Sequence, residues 1–162
     1  MSTTRIFLSP KSADFPASAY AQLSAIFNRK VIAFDASVEE SIEWTFRAAQ
    51  GLTGPLTLEC DFIMASAVAN SIVLGATVEA VTPGDAVDLD SADSFASTNN
   101  SSAVTVPGTA GYLARATITL TNDDGIAAGD LVRVKISRKV SDGGDTATGD
   151  LYLLGAELRD AA

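Results

Sequence analysis

Apolar side chains in this chain recur every second residue, and that period, more than any other feature, limits what the chain can fold into. In Tyr112–Leu120 one set (Tyr112, Ala114, Ala116, Ile118, Leu120) alternates with Leu113, Arg115, Thr117 and Thr119. Val132, Val134 and Ile136 alternate with Arg133, Lys135 and Ser137. Tyr152, Leu154, Ala156 and Leu158 alternate with Leu153, Gly155 and Glu157. A strand sends successive side chains to opposite faces, so each segment reads as a strand with one packed and one wetted face. The pattern predicts strands at Thr4–Leu8, Lys30–Asp35, Ser41–Arg47, Pro55–Ala65, Ser71–Val81, Ala103–Val106, Gly111–Thr121, Asp130–Lys139 and Asp150–Arg159. Short turn signals separate them: Gly51–Pro55, Pro83–Asp85, Pro107-Gly108, Asn122–Gly125 and Asp142–Asp145. Such spacing favours antiparallel connections over helical crossovers. The expected fold is all-β: an antiparallel two-sheet sandwich, jelly-roll-like, with an N-terminal arm. Residues 1–29 form the arm or extension and residues 30–162 the sandwich domain.

At 162 residues, 47% of them hydrophobic, one core is the natural expectation. Residues 18–27 fit a helix following Pro16 and Ser18, and fit an extended arm equally well. Asp88–Ala110, rich in Ser, Asp, Asn and Thr, reads as a long surface loop with room for a short strand. Ser71–Val81 is apolar on both faces (Ile72, Val73, Leu74, Val78, Val81), which predicts cover by a neighbouring subunit or a loop.

Charge and chemistry exclude most functions. No histidine is present, so the commonest general base and transition-metal ligand are both missing. Cys60 is the single cysteine and sits in an apolar run, which predicts a buried thiol. The net charge is −9, and residues 48–130 hold one base, Arg115, against ten acids, so neither nucleic acid nor an anionic membrane is an expected partner. No apolar run suits a membrane helix or a signal peptide, and the expectation is a soluble protein made in a cytoplasm.

Glu39 and Glu43 would share a strand face beside Trp44, as a glycosidase acid pair might, but the plainer reading is a solvated edge leading into buried Trp44 and Phe46. Asp88, Asp90 and Asp93 lack the glycine and glutamate of a calcium loop, and Asp142–Asp150 reads as a connection between strands. Lys135 has no Ser-x-x-Lys pattern around it, and Gly51–Gly54 runs into Pro55 and a strand instead of a helix. No catalytic residue, metal or cofactor is expected, and the chain reads as one that builds or binds.

The last third carries Ala116–Asn122, then Gly129-Asp130 opening a strand that Arg138 closes, then Asp145-Thr146, Gly149-Asp150 and Leu153-Leu154-Gly155. With Glu43, Phe46, Gly51-Leu52-Thr53, Val81 and Gly84-Asp85 upstream, this order resembles small virion proteins of tailed phages across roughly residues 33–158. The resemblance implies a sandwich subunit on a virion, made in the host cytoplasm: a capsid decoration (cement) protein bound to the major capsid protein or another virion protein. The alternative it implies is a head- or tail-fibre module binding a host receptor or surface glycan, with Tyr20, Trp44, Tyr112 and Tyr152 as sugar-stacking candidates. Self-association as a homotrimer is expected. Partner-binding residues under this reading are Ile6, Phe7, Leu8, Phe15 and Tyr20 of the arm, with Ile72 and Val73, while the acidic loop stays in solvent.

Overall fold

The computed structural model describes residues 4–52, 55–66 and 69–160. Among the described residues twelve strands run in chain order: β1 (Arg5–Leu8), β2 (Gln22–Ile26), β3 (Arg29–Phe34), β4 (Ser41–Arg47), β5 (Leu56–Met64), β6 (Ser71–Ile72), β7 (Leu74–Val81), β8 (Asn99–Asn100), β9 (Val104–Thr105), β10 (Ala114–Leu120), β11 (Leu131–Arg138) and β12 (Leu151–Asp160). One 3-10 turn, Pro10–Ser12, follows β1, and no α-helix occurs among the described residues. None of the described segments forms a helix long and apolar enough to cross a membrane.

Every pairing between named strands is antiparallel. The first sheet has the order β10-β5-β12-β3-β2 and the second the order β4-β11-β7-β8, with β6 and β9 forming a small ribbon. The two main sheets face each other as a jelly-roll sandwich. Alternation decides the inner faces: Leu56, Leu58, Cys60, Phe62 and Met64 of β5 are buried, and Val132, Val134 and Ile136 of β11 meet them from the other sheet. Each such side chain contributes about 1.5–3 kcal/mol of hydrophobic stabilisation. Trp44 lies in this core and satisfies its indole by donating from Nε1 to the Ser9 carbonyl at 2.8 Å.

The N-terminal segment is not an arm. β1 pairs along β12 from Arg5↔Arg159 to Leu8↔Ala156, taking over the edge of β12 where β3 stops at Ile32↔Leu153. Leu8 is buried, and β2 extends the same sheet through β3. Residues 18–27 are therefore a bridge and a strand rather than a helix. An edge that β12 would otherwise leave unpaired explains why so short a strand as β1 is built in. Residues 1–3 of the expected arm, and Thr53 and Gly54 of the expected Gly51–Pro55 turn, lie outside the described residues.

Two further expectations change. Ser71–Val81 breaks at Val73, and what covers it is the chain itself: β9 pairs β6, the Val73 amide donates to Asp145 at 3.1 Å, and the Val73 carbonyl accepts from the Lys139 amide. In β12 the register against β5 shifts between Leu153 and Gly155. This bulge resets the alternation, so Leu151 and Leu153 face the core before it and Ala156 and Leu158 after it, while Tyr152 and Leu154 point outward. Gly155 lets Phe7 lie over the bulge, since a Cβ there would stand 2.5 Å from the Phe7 ring and displace it. Tyr112 is likewise not a core residue: β10 begins only at Ala114, and Tyr112 is exposed.

The residues that carry the likeness to virion proteins turn out to hold turns together. Arg138 is fully buried, pairs with Asp145 at 2.8 Å, and donates to the carbonyls of Gly149 and Ala147. Asp130 accepts from the Ala127 amide and the Thr82 hydroxyl, both within 2.8 Å, after Gly129 has turned the chain at φ +95°. Gly-Asp and Arg…Asp-Thr…Gly at these spacings are therefore requirements of the connections, independent of what the surface binds.

Candidate functional site

The outer face of the β4-β11-β7 sheet is not open. Residues 14–21 run alongside β4, with Asp14 and Glu43 exchanging two backbone hydrogen bonds (2.7 and 3.0 Å) and the Ser41 carbonyl accepting from the Ala21 amide. On the other side, the return of the long loop binds β7: the Ala96 amide donates to the Val78 carbonyl, and Ser94 donates through its amide and hydroxyl to Glu79. These two walls enclose a cleft of about 590 Å³ whose lining includes Asp14, Phe15, Glu43, Asp93, Arg133 and Lys135. A shallower depression of about 210 Å³ shares Ser41 and Lys135 with it and continues to Ser137, Lys139 and Glu39. The floor is the outward side of β11 and its continuation, Arg133 through Lys139, and at strand rise this groove is about 20 Å long.

Arg133 organises the floor. Its guanidinium meets Glu43 at 2.7 Å, Glu79 at 3.0 Å and Asp93 at 2.5 Å. Lys135 meets the second oxygen of Glu43 at 3.1 Å. The side chain of Glu79 is only 1% exposed and that of Glu43 7%, so the shared charge lies largely out of water. Phe95 closes over the cations, its ring centre 4.8 Å from the Arg133 guanidinium carbon and 4.0 Å from Lys135 Nζ. Desolvation works against the Arg133 charge, but its hydrogen bonds to Asp93 and Glu43 outweigh it and raise the pKa. The hydrogen bond from Arg133 holds the Asp93 carboxyl below its ordinary value.

One aromatic, Phe15, lines the cleft, and a second, Tyr20, packs against it from outside the lining. Phe15 and Tyr20 are each about half exposed and pack edge to face with ring centres 6.0 Å apart. On the floor, Thr77 Oγ1 is buried and has no hydrogen-bond partner. The site thus joins apolar ring surface to a dense array of donors and acceptors whose charges are internally balanced save for an excess of carboxylate. That combination suits a neutral polyhydroxylated ligand, which donates to carboxylates, accepts from Arg and Lys, and offers C–H faces to rings.

Of the expected partner-binding residues, Phe15 lines this groove, and Tyr20 stands beside it, packed on Phe15 and bridged to Ser41 without lining it. Leu8, Ile72 and Val73 are buried and Ile6 packs against the core, so none of the four offers a surface, while Phe7 lies exposed over Gly155 elsewhere. Among the sugar-stacking candidates Trp44 is core, and Tyr112 and Tyr152 lie outside the groove. Glu43 is not a solvated edge residue: β11 and the Asp14 segment enclose it, and its carboxylate is committed to Arg133 and Lys135 while Glu39 pairs with Lys139. Asp88, Asp90 and Asp93 do not converge, and among the described residues no cluster of three or more His, Cys, Asp or Glu can hold a metal ion. Asp14, Glu79, Phe95, Arg133 and Lys135 were missed as site residues. The outward alternation of Arg133 and Lys135 on a strand was their one visible signal.

No protein-family model matches the chain, and no curated protein matches it. Similarity appears at the level of solved structures. A carbohydrate-binding module, CBM35 from Cellvibrio japonicus Abf62, superposes with a TM-score of 0.52 at 11% identity, covering 96% of this chain and 92% of that one. The isomalto-dextranase of Arthrobacter globiformis T6, complexed with panose, superposes with a TM-score of 0.50 at 17% identity over 96% of this chain, which spans only 23% of the enzyme's length. At such identities the likeness shows a shared fold: an antiparallel jelly-roll β-sandwich.

Proposed function

We propose that this chain is a non-catalytic glycan-binding module whose ligand lies along the β4-β11-β7 groove. The observation that carries the reading is the groove itself: Arg133 and Lys135 locked among Glu43, Glu79 and Asp93 beneath Phe95, beside the half-exposed Phe15 and Tyr20. A catalytic carboxylate must be free to meet its substrate, whereas Glu43, Glu79 and Asp93 are committed to Arg133 and Lys135. Carbohydrate recognition by a CBM35 on the same fold supports the choice of ligand class. Of the two roles implied by the resemblance to virion proteins, the module that binds a surface glycan is the one this groove supports. The capsid-lattice role relied on a free arm and on Leu8, Ile72 and Val73, which are built into the sandwich.

Titration calorimetry against neutral and acidic oligosaccharides tests this. Phe15→Ala and Tyr20→Ala leave the ion-pair floor untouched, and each is expected to weaken binding of a neutral glycan roughly 5- to 20-fold, the first by deleting a ring that lines the groove and the second by removing the ring packed against it. Binding that these two variants do not alter, or a full panel with no binder, overturns the reading.

A further inference from the structure

The molecule carries two exposed surfaces of opposite character, one beside β2 and β3 and one on the connection that follows β7, and neither lines the groove. On the β2–β3 side, Phe7, Pro10, Lys11, Arg29, Lys30 and Leu154 line a depression of about 430 Å³. Among the described residues, Lys11, Arg29 and Lys30 take part in no ion pair, on a chain whose net charge is −9. Phe7 is 63% exposed, and Phe27, at the adjoining hairpin tip, is 93% exposed. Phe27 is also costly where it stands. The two-residue turn Phe27-Asn28 has φ of +41° and +67°, a conformation that favours Asn or Gly and strains a bulky side chain. Neither the turn nor the core calls for an aromatic there.

Where the chain leaves β7, the loop Asp85-Ala-Val-Asp-Leu-Asp90 is exposed throughout and mixes acidic with apolar side chains. Val87 is 40% and Leu89 50% exposed, and among the described residues Asp85, Asp88 and Asp90 meet no cation. The sheet orders separate the two surfaces: β2 ends one sheet and the Asp14–Ala21 segment flanks β4 on one side, while β8 ends the other sheet, tied to the end of β10 by Asn99. One copy cannot bring the patches together, but two copies can.

We infer that the occupant of the Phe7/Phe27/Lys11/Arg29/Lys30 patch is the Asp85–Asp90 loop of a second copy of this chain. The contact is head-to-tail: each copy keeps one unused patch of each kind, so the interface generates rings where the rotation closes and chains where it does not. Carboxylates approach the unpaired Lys and Arg, and Val87 and Leu89 cover the exposed rings.

Light scattering at low and high salt, up to about 100 µM chain, reads the prediction directly. Wild type should associate with concentration and dissociate in ~1 M salt. R29E/K30E should be monomeric, and so should D88K/D90K, while an equimolar mixture of the two should recover association, because each reversed surface then faces its complement. Phe27→Asn separates association from folding: it should raise Tm by relieving the turn and at the same time weaken association about 10-fold or more. A wild type that stays monomeric, reversed variants that associate as wild type does, or a mixture that stays monomeric overturns the inference.

Discussion

Both faces of this sandwich carry arginine–carboxylate networks, yet the two behave as different materials. On the β10-β5-β12 face, Arg115 reaches Glu59 and Asp61, Arg159 reaches Glu59, and Arg5 reaches Glu157, with arginine side chains 30–60% exposed. These are cross-strand pairs on an open sheet: Arg115 sits opposite Asp61 and beside Glu59 in the register. On the β4-β11-β7 face the same chemistry is roofed by two chain segments, and Glu79 and Glu43 are almost out of water. An open pair is solvated whether or not it forms, so it adds little. A roofed pair has lost its water, so each member depends on the others. Covering a sheet face with two chain segments thus turns ordinary strand charges into an interdependent array.

The largest expected effect tests that dependence. Glu79→Ala removes one carboxylate from Arg133 and leaves the Ser94 amide and hydroxyl without their acceptor. We expect a loss of about 3 kcal/mol in urea unfolding, within the range for breaking a buried pair, and a weakened loop return at Ser94–Ala96. Arg133→Met in the Glu79→Ala background should cost much less than in the wild type. Additive losses in that cycle would show that the roofed network is no more coupled than the open one.

A second test uses acid, and here the sign follows from Asp93. The hydrogen bond from Arg133 lowers its pKa in the folded chain from the ordinary 3.8. A depressed carboxylate contributes stability above its unfolded pKa and loses it as pH falls through the folded value. The anchoring of the loop over the groove should therefore be unchanged from pH 7 down to about 4 and decline below the ordinary 3.8, more steeply than in Asp93→Asn. Phe95 ring resonances followed across that window report it, and identical profiles for wild type and Asp93→Asn would sink the assignment.

How much of this contrast the sequence discloses depends on range. Period two in β5, β10 and β11 reveals both faces of each strand, because alternation is a local property of the backbone. It mis-phases β12, since the bulge between Leu153 and Gly155 shows only in the pairing of β12 with β5, about 90 residues away in sequence. It misassigns residues 1–29, since apolar content looks the same in an arm and in an edge strand until β12 is seen to need a partner. The groove is less legible still. Arg133, Glu43 and Glu79 come from three strands, and only the register Lys135↔Glu43 and Arg133↔Glu79 brings them together.

The smallest expected effect completes the comparison. Arg115→Ala on the open face deletes a guanidinium that makes three contacts at 2.6–3.1 Å with Asp61 and Glu59, more bonds on paper than Lys135 makes in the groove. Its side chain is 53% exposed, however, and Asp61 and Glu59 regain water once it is gone, with Arg159 still at Glu59. We expect a change in unfolding free energy of at most about 0.5 kcal/mol, shrinking further in 1 M salt, since exposed pairs gain little against their own hydration and are screened. Glycan affinity should not move. A loss comparable to that of Glu79→Ala would mean that the number of contacts, and not the exclusion of water, sets what a charge network is worth in this fold, and the distinction between the two faces would fall with it.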